Sequence, residues 1–160
     1  MGNNSQNVAP QQLHNFLKKG QEMNIGKLIL GGIVAAVIYF IGDGVVHGAL
    51  LKQHWGTILG AINVDAEKAL KTPAVFGVYD LIKGFAAVWI YAAIRPRLGP
   101  GPGTATIAGL VVWVLAIPAP LIGLLPMKFF PAGFVGLWAV YAIVPSILGA
   151  VIGAWLYKEQ

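Results

Sequence analysis

The sequence predicts an all-α fold: an integral membrane bundle of four transmembrane helices, with short amphipathic helices in the N-terminal tail and in the first loop. Three observations carry this reading. Of the 160 residues, 57% are hydrophobic and 11% are charged, whereas a soluble domain has about 25% charged residues. Long apolar stretches separate the charges: 24 residues between Lys27 and Lys52, interrupted by Asp43 and His47; 23 between Lys71 and Arg95, interrupted by Asp80 and Lys83; and, without a charge, 30 between Arg97 and Lys128 and 29 between Lys128 and Lys158. Each interval is long enough for the roughly 20 mostly apolar residues of a helical span. No stretch alternates apolar and polar residues as the strands of a membrane barrel do.

Residues 1–26 form a polar tail rich in Asn and Gln, and residues 27–158 a single transmembrane domain. A cleaved leader would need its apolar core in that tail, so none is expected. The myristoylation pattern M-G-x-x-x-[ST] fails because the sixth residue is Gln6. Within the tail, QQLHNFLKKG places Leu13, Phe16 and Leu17 on one helical face.

The spans are expected at about 28–51, 73–94, 104–125 and 131–157. The first loop, KQHWGTILGAINVDAEKALKTP, has Trp55, Ile58, Leu59 and Ile62 at helical spacing ahead of a charged stretch. An interfacial helix with a polar tail is expected there. Pro118 and Pro120 remove two donors from the third span and Pro145 removes one from the fourth. Each is read as either a hinge or a packing bend, with Ser146 a local partner for a freed carbonyl.

The loop RPRLGPGPGT follows the second span. Arg95 and Arg97 are expected to stop that helix at the lipid headgroups and to contact them. Thr104 is expected to cap the third helix. The glycines are no phosphate cradle, because Pro100 and Pro102 lack the needed N–H donors and no Gly-Lys-Ser/Thr follows.

Four spans put both termini on one side. Lys18, Lys19, Lys27, Arg95, Arg97 and Lys158 fall on that side, against Lys52, Lys68, Lys71 and Lys128 on the other. This bias favours cytoplasmic termini. Trp55, Trp89, Tyr91, Trp155 and Tyr157 lie at span ends, where amphipathic rings settle at headgroup depth. The net charge of +5 is therefore read as topogenic and lipid-facing, and no nucleic-acid partner is expected. With no cysteine, disulfides and thiolate metal sites are excluded.

The candidate site comes from polar residues inside the apolar runs. At a rise of about 1.5 Å per residue, Asp43 falls roughly 5 Å past the middle of the first span. Asp80 falls roughly 5 Å to the same side in the antiparallel second span, and Lys83 falls near the midplane. His47 lies one turn beyond Asp43 on the same face. The second span gains about 4 kcal/mol from its apolar residues against about 5–7 for Asp80 and Lys83. It becomes comfortable only if those groups face the bundle. An intramembrane cluster of Asp43, His47, Asp80 and Lys83 follows, read either as a proton- or ion-handling site or as an ion-paired structural lock. The pairs Gly44/Gly48 and Gly149/Gly153 have the spacing of helix-packing positions.

The stretch WIYAAIRPRLGPGPGTATIAGLVVW, taken with DGVVHGALL, resembles an uncharacterised family of small bacterial four-span integral membrane proteins. The likeness covers roughly residues 28–113. The family's usual aromatic after the second arginine is Leu98 here. The resemblance implies the inner (plasma) membrane of a bacterium, and it brings no catalytic residue, ligand or activity.

No enzyme is expected: there is no Ser/His/Asp arrangement and no HExxH. Asp43, His47 and Asp80 lack the pattern of a metal site, and a second axial histidine for haem is missing from the spans. No metal or cofactor is therefore expected. Two functional classes remain. The first is a non-enzymatic accessory or scaffold subunit of a membrane assembly, with other membrane subunits as partners besides the lipid bilayer. The second is an oligomeric small transporter or proton/ion-coupled protein using Asp43, Asp80 and Lys83. The first is preferred because the charged cluster is expected to neutralise itself.

Overall fold

The computed structural model describes residues 23–70 and 72–157. The tail helix expected around Leu13 lies outside the described residues. Among the described residues the fold is entirely helical. Helix α1 (Ile25–Val45) continues through a π-helical turn at Val46–Leu50. Two short helices, α2 (Lys52–Gly60) and α3 (Ala66–Leu70), form the first loop. Then come α4 (Pro73–Leu98), α5 (Pro102–Ala116), α6 (Pro118–Leu124) with a 3-10 turn at Leu125–Met127, and α7 (Ala132–Leu156). Four segments, Ile25–Leu50, Pro73–Leu98, Pro102–Met127 and Ala132–Leu156, are long and apolar enough to cross a membrane.

Local chemistry sets the boundaries. Asn24 caps α1, its Oδ1 accepting from the Lys27 N–H at 3.1 Å. Proline occupies the first turn of α4, α5 and α6, where its missing donor costs nothing. Helix α4 does not stop at Arg95 and Arg97 but runs on to Leu98. Its end is set by Gly99, with φ at +83°, whose N–H donates to the Arg95 carbonyl at 2.9 Å. Thr104 is likewise not the cap of the third span, which starts at Pro102. Its hydroxyl donates to the Gly99 carbonyl at 2.7 Å and so fastens the turn from behind.

The prolines act differently in the two spans that hold them. At Ile117 (φ −123°, ψ −76°) the third span breaks into α5 and α6. Pro120 cannot donate to the Ala116 carbonyl. The Tyr79 hydroxyl of α4 supplies that bond at 3.0 Å. Helix α7 instead stays continuous through Pro145. There the Tyr39 hydroxyl of α1 donates to the Ser146 carbonyl at 3.1 Å.

Helix α1 packs against α4 and α7, α5 packs against α4 and α7, and α4 touches α7 across the middle. Small residues permit these approaches. A Cβ on Gly84 would lie 2.6 Å from the Ala36 nitrogen, and one on Gly153 would lie 2.7 Å from the Gly31 carbonyl oxygen. Buried Ala35, Ala87, Ala105, Ala108 and Ala150 continue this seam, with Tyr39, Tyr91 and Tyr157 filling the wider places. Asn24 and Tyr157 meet at one end of the bundle, where the Asn24 N–H donates to the Tyr157 hydroxyl at 3.3 Å. At the other end α2 docks through Trp55 and Ile58 on Val46, Leu51 and Phe134. Ile62, expected on that apolar face, stays exposed because the chain has already left the helix at Gly60.

Gly84→Val should lower the melting temperature in detergent, with a cost of about 1–3 kcal/mol from overpacking the α1–α4 contact. Gly44, by contrast, has nothing within 4 Å of a built Cβ. Gly44→Ala should leave melting unchanged or raise it, since Ala is the better helix former by about 1 kcal/mol. Equal melting of the parent and Gly84→Val would refute this packing.

Candidate functional site

The close α1–α4 contact fixes the surroundings of three charged side chains. Asp80 and Lys83 are one turn apart on α4, and Asp43 lies near the end of α1. The Lys83 ammonium donates to Asp43 Oδ2 at 2.6 Å. The same Nζ lies 2.8 Å from Asp80 Oδ1, a second ion-pair contact. The Lys83, Asp43 and Asp80 side chains are 5%, 13% and 1% exposed. The rings of Tyr39 and Tyr79 flank the ammonium, with centroids 4.9 and 4.8 Å from Nζ. Such cation–π contacts stabilise a desolvated cation by about 2 kcal/mol.

The arrangement holds two acids and one base. Removing ions from water costs several kcal/mol each, and mutual attraction offsets this only when geometry and hydrogen bonding are good. Lys83 meets that condition. Asp80 meets it less well, because it shares Lys83 with Asp43 and its buried Oδ2 has no hydrogen-bond partner among the described residues. Helices α5 and α7 contribute no charged side chain, since PGTATIAGLVVWVLA and AGFVGLWAVYAIVPSILGAVIGAWL contain none.

A cavity of about 150 Å³ opens beside the triad, lined in part by Asp43, His47 and Asp80. His47 belongs to this cavity and is not an ion-pair partner in the triad. It sits in the π-helical turn, where its Nδ1 accepts from Trp55 Nε1 at 3.0 Å. Its ring meets Trp138 edge-on at 4.9 Å. Trp55 belongs to α2, so the loop helix is tied to the cavity wall through a single hydrogen bond. Among the described residues no three His, Asp or Glu side chains form a metal-ligand group.

The other residues singled out from sequence separate into two kinds. Gly149 and Gly153 are close-contact positions: a Cβ on Gly149 would collide with the Tyr39 ring, and one on Gly153 with α1. Gly44 and Gly48 are not packing positions within the chain, because no atom lies within 4 Å of a built Cβ at either. They line the cavity instead. Arg95 is half-buried and lines a separate groove of about 580 Å³ with Tyr91, Trp155 and Tyr157, while Arg97 is exposed.

Tyr39, Tyr79 and Trp55 were missing from the sequence-derived cluster. For two of them a signal existed. Tyr39 is four residues before Asp43 and Tyr79 four before Lys83, so each shares a helical face with the charge it serves.

Lys83→Met should destabilise the protein by about 3–5 kcal/mol, because it leaves two buried carboxylates without their shared cation. Asp43→Asn combined with Lys83→Met should recover part of that loss, seen as a higher melting temperature in detergent than the single variant. A single variant as stable as the parent would remove the triad from the account of the fold. No protein family, curated protein or solved structure matches the chain, so the site is interpreted from its own geometry.

Proposed function

We propose that this chain is a multi-pass, non-enzymatic membrane protein that binds and passes protons at the Asp43–Lys83–Asp80 triad. It works as a homo-oligomer, since four spans are few for a translocation path through one copy. Its setting is the inner (plasma) membrane of a bacterium, with the Asn24–Tyr157 end cytoplasmic. The basic-residue bias and the resemblance to small bacterial four-span proteins support that placement.

The observation that carries the proton reading is the count of charges: Asp80, 1% exposed, and Asp43 share one ammonium, Lys83, at 2.8 and 2.6 Å. The accessory-subunit reading drew its strength from a cluster that neutralises itself. With two carboxylates to one ammonium, one negative charge is left over. A proton supplies the missing charge, and a carboxyl group is then also a donor. Lys83 holds the second acid in place while the first exchanges its proton with the cavity. Intramembrane acids with such partners mark ion pathways.

The test is proton flux into proteoliposomes carrying a trapped pH dye, driven by a potassium diffusion potential. Flux in the parent should exceed that of empty vesicles and should fall by about tenfold or more in Asp80→Asn, which removes an intramembrane acid of the pathway. Asp65→Asn, an exposed loop carboxylate, should match the parent. Parent vesicles no faster than empty ones, or undiminished flux in Asp80→Asn, would overturn the proposal.

A further inference from the structure

We infer that the cavity beside Asp80 is a binding site for a small organic monocation, an amine or quaternary ammonium ion of a few heavy atoms. The inference deepens the proton reading and rests on it. A proton needs no cavity, yet the triad borders about 150 Å³ of space, room for roughly five water molecules. The character of its wall narrows the occupant.

Charge comes first. The triad is one positive charge short, which excludes an anion and makes a neutral occupant costly, because two carboxylates would still share one ammonium. Apart from His47, whose Nδ1 is taken by Trp55, the remaining wall is largely carbon: Phe40, Phe76 and Pro73, with Gly44 and Gly48 adding no side chain. A bare inorganic cation needs about six or more oxygen ligands. Here Asp43 Oδ2 and Asp80 Oδ1 already contact Lys83, so few oxygens remain. A cation with a hydrocarbon skin meets both halves of the wall. Its charge faces the triad through Asp43, the more exposed of the two carboxylates, and its methyl or methylene groups lie against Phe40 and Phe76, as aromatic rings favour for ammonium ions.

The mouth agrees with this chemistry. Phe40, Gly44, Gly48 and Pro73 are all exposed, so the mouth of the cavity is rimmed by residues without charge. An alkylated cation passes such a rim more readily than a hydrated metal ion. Proton and amine each supply the one missing positive charge, so they compete. Binding of a permanently charged ammonium ion releases the proton held at the triad to water in the cavity.

The experiment uses the purified full chain in nanodiscs, with tetramethylammonium as probe and isothermal titration calorimetry as readout. Saturable binding is expected, with proton release seen as a dependence of the heat on the ionisation enthalpy of the buffer. Asp80→Asn should abolish it. Gly44→Leu should fill the mouth and weaken binding by about tenfold or more while keeping the parent's melting temperature, since no atom lies within 4 Å of a Cβ there. Asp65→Asn should bind as the parent does. No tetramethylammonium binding in a parent whose proton flux depends on Asp80 overturns this inference alone. Undiminished binding in a folded Gly44→Leu variant also overturns it, because the cation is then seated elsewhere. Absent proton flux overturns the reading beneath it.

Discussion

The Lys83 ammonium lies between carboxylates from two helices, and the geometry of the bundle follows from keeping it there. A lysine in an apolar interior is tolerated only where opposite charge reaches it. Asp80 comes from the same helix and is one turn away, so it places no demand on the tertiary fold. Asp43 comes from α1, forty positions earlier in the chain, and it meets Nζ at 2.6 Å only if α1 and α4 nearly touch. Gly84 makes that approach possible by removing the side chain that would strike Ala36. A cross-helix ion pair and a missing methyl group are thus two sides of one requirement.

The tyrosines extend this requirement to the other half of the bundle. Tyr39 and Tyr79 each present a ring to Lys83 and a hydroxyl to a backbone carbonyl of a more distant helix. Tyr39 reaches Ser146 in α7, and Tyr79 reaches Ala116, the acceptor deprived of its donor by Pro120. A freed carbonyl in an apolar setting costs several kcal/mol, so a neighbouring hydroxyl is what makes the break at Ile117 affordable. The charged triad and the proline break are therefore connected through one phenol.

Much of this was legible in the sequence. Helix class and span number follow from the spacing of charges, because an apolar setting leaves the backbone few alternatives. The shared level of Asp43, Asp80 and Lys83 follows from helical rise and antiparallel direction alone. Rotation about each helix axis was much less legible, since glycine, alanine and leucine occur on every face of such spans. That is why Gly44 and Gly48, with favourable spacing, proved to border a cavity while Gly84 carried the contact. The stop at Gly99 was obscured by the arginines before it: a basic pair suggests a headgroup boundary, but backbone conformation decides where a helix ends. The widening at Val46–Leu50 has no recognisable sequence pattern, and it governs the placement of His47.

The balance between a structural lock and a working site turns on arithmetic that needs coordinates. A sequence with two acids and one lysine at one level admits a closed pair with a spectator acid turned to water. Here the spectator is excluded, because Asp80 is the most buried of the three and both carboxylates lie within 2.8 Å of Lys83 Nζ. Burying two carboxylates around one ammonium, beside an open space, is a poor way to stabilise a fold. Replacing the whole group by apolar side chains would serve that end better, as buried ion pairs are often no more stabilising than good packing. The arrangement is costly for structure alone and well suited to holding a positive charge that comes and goes.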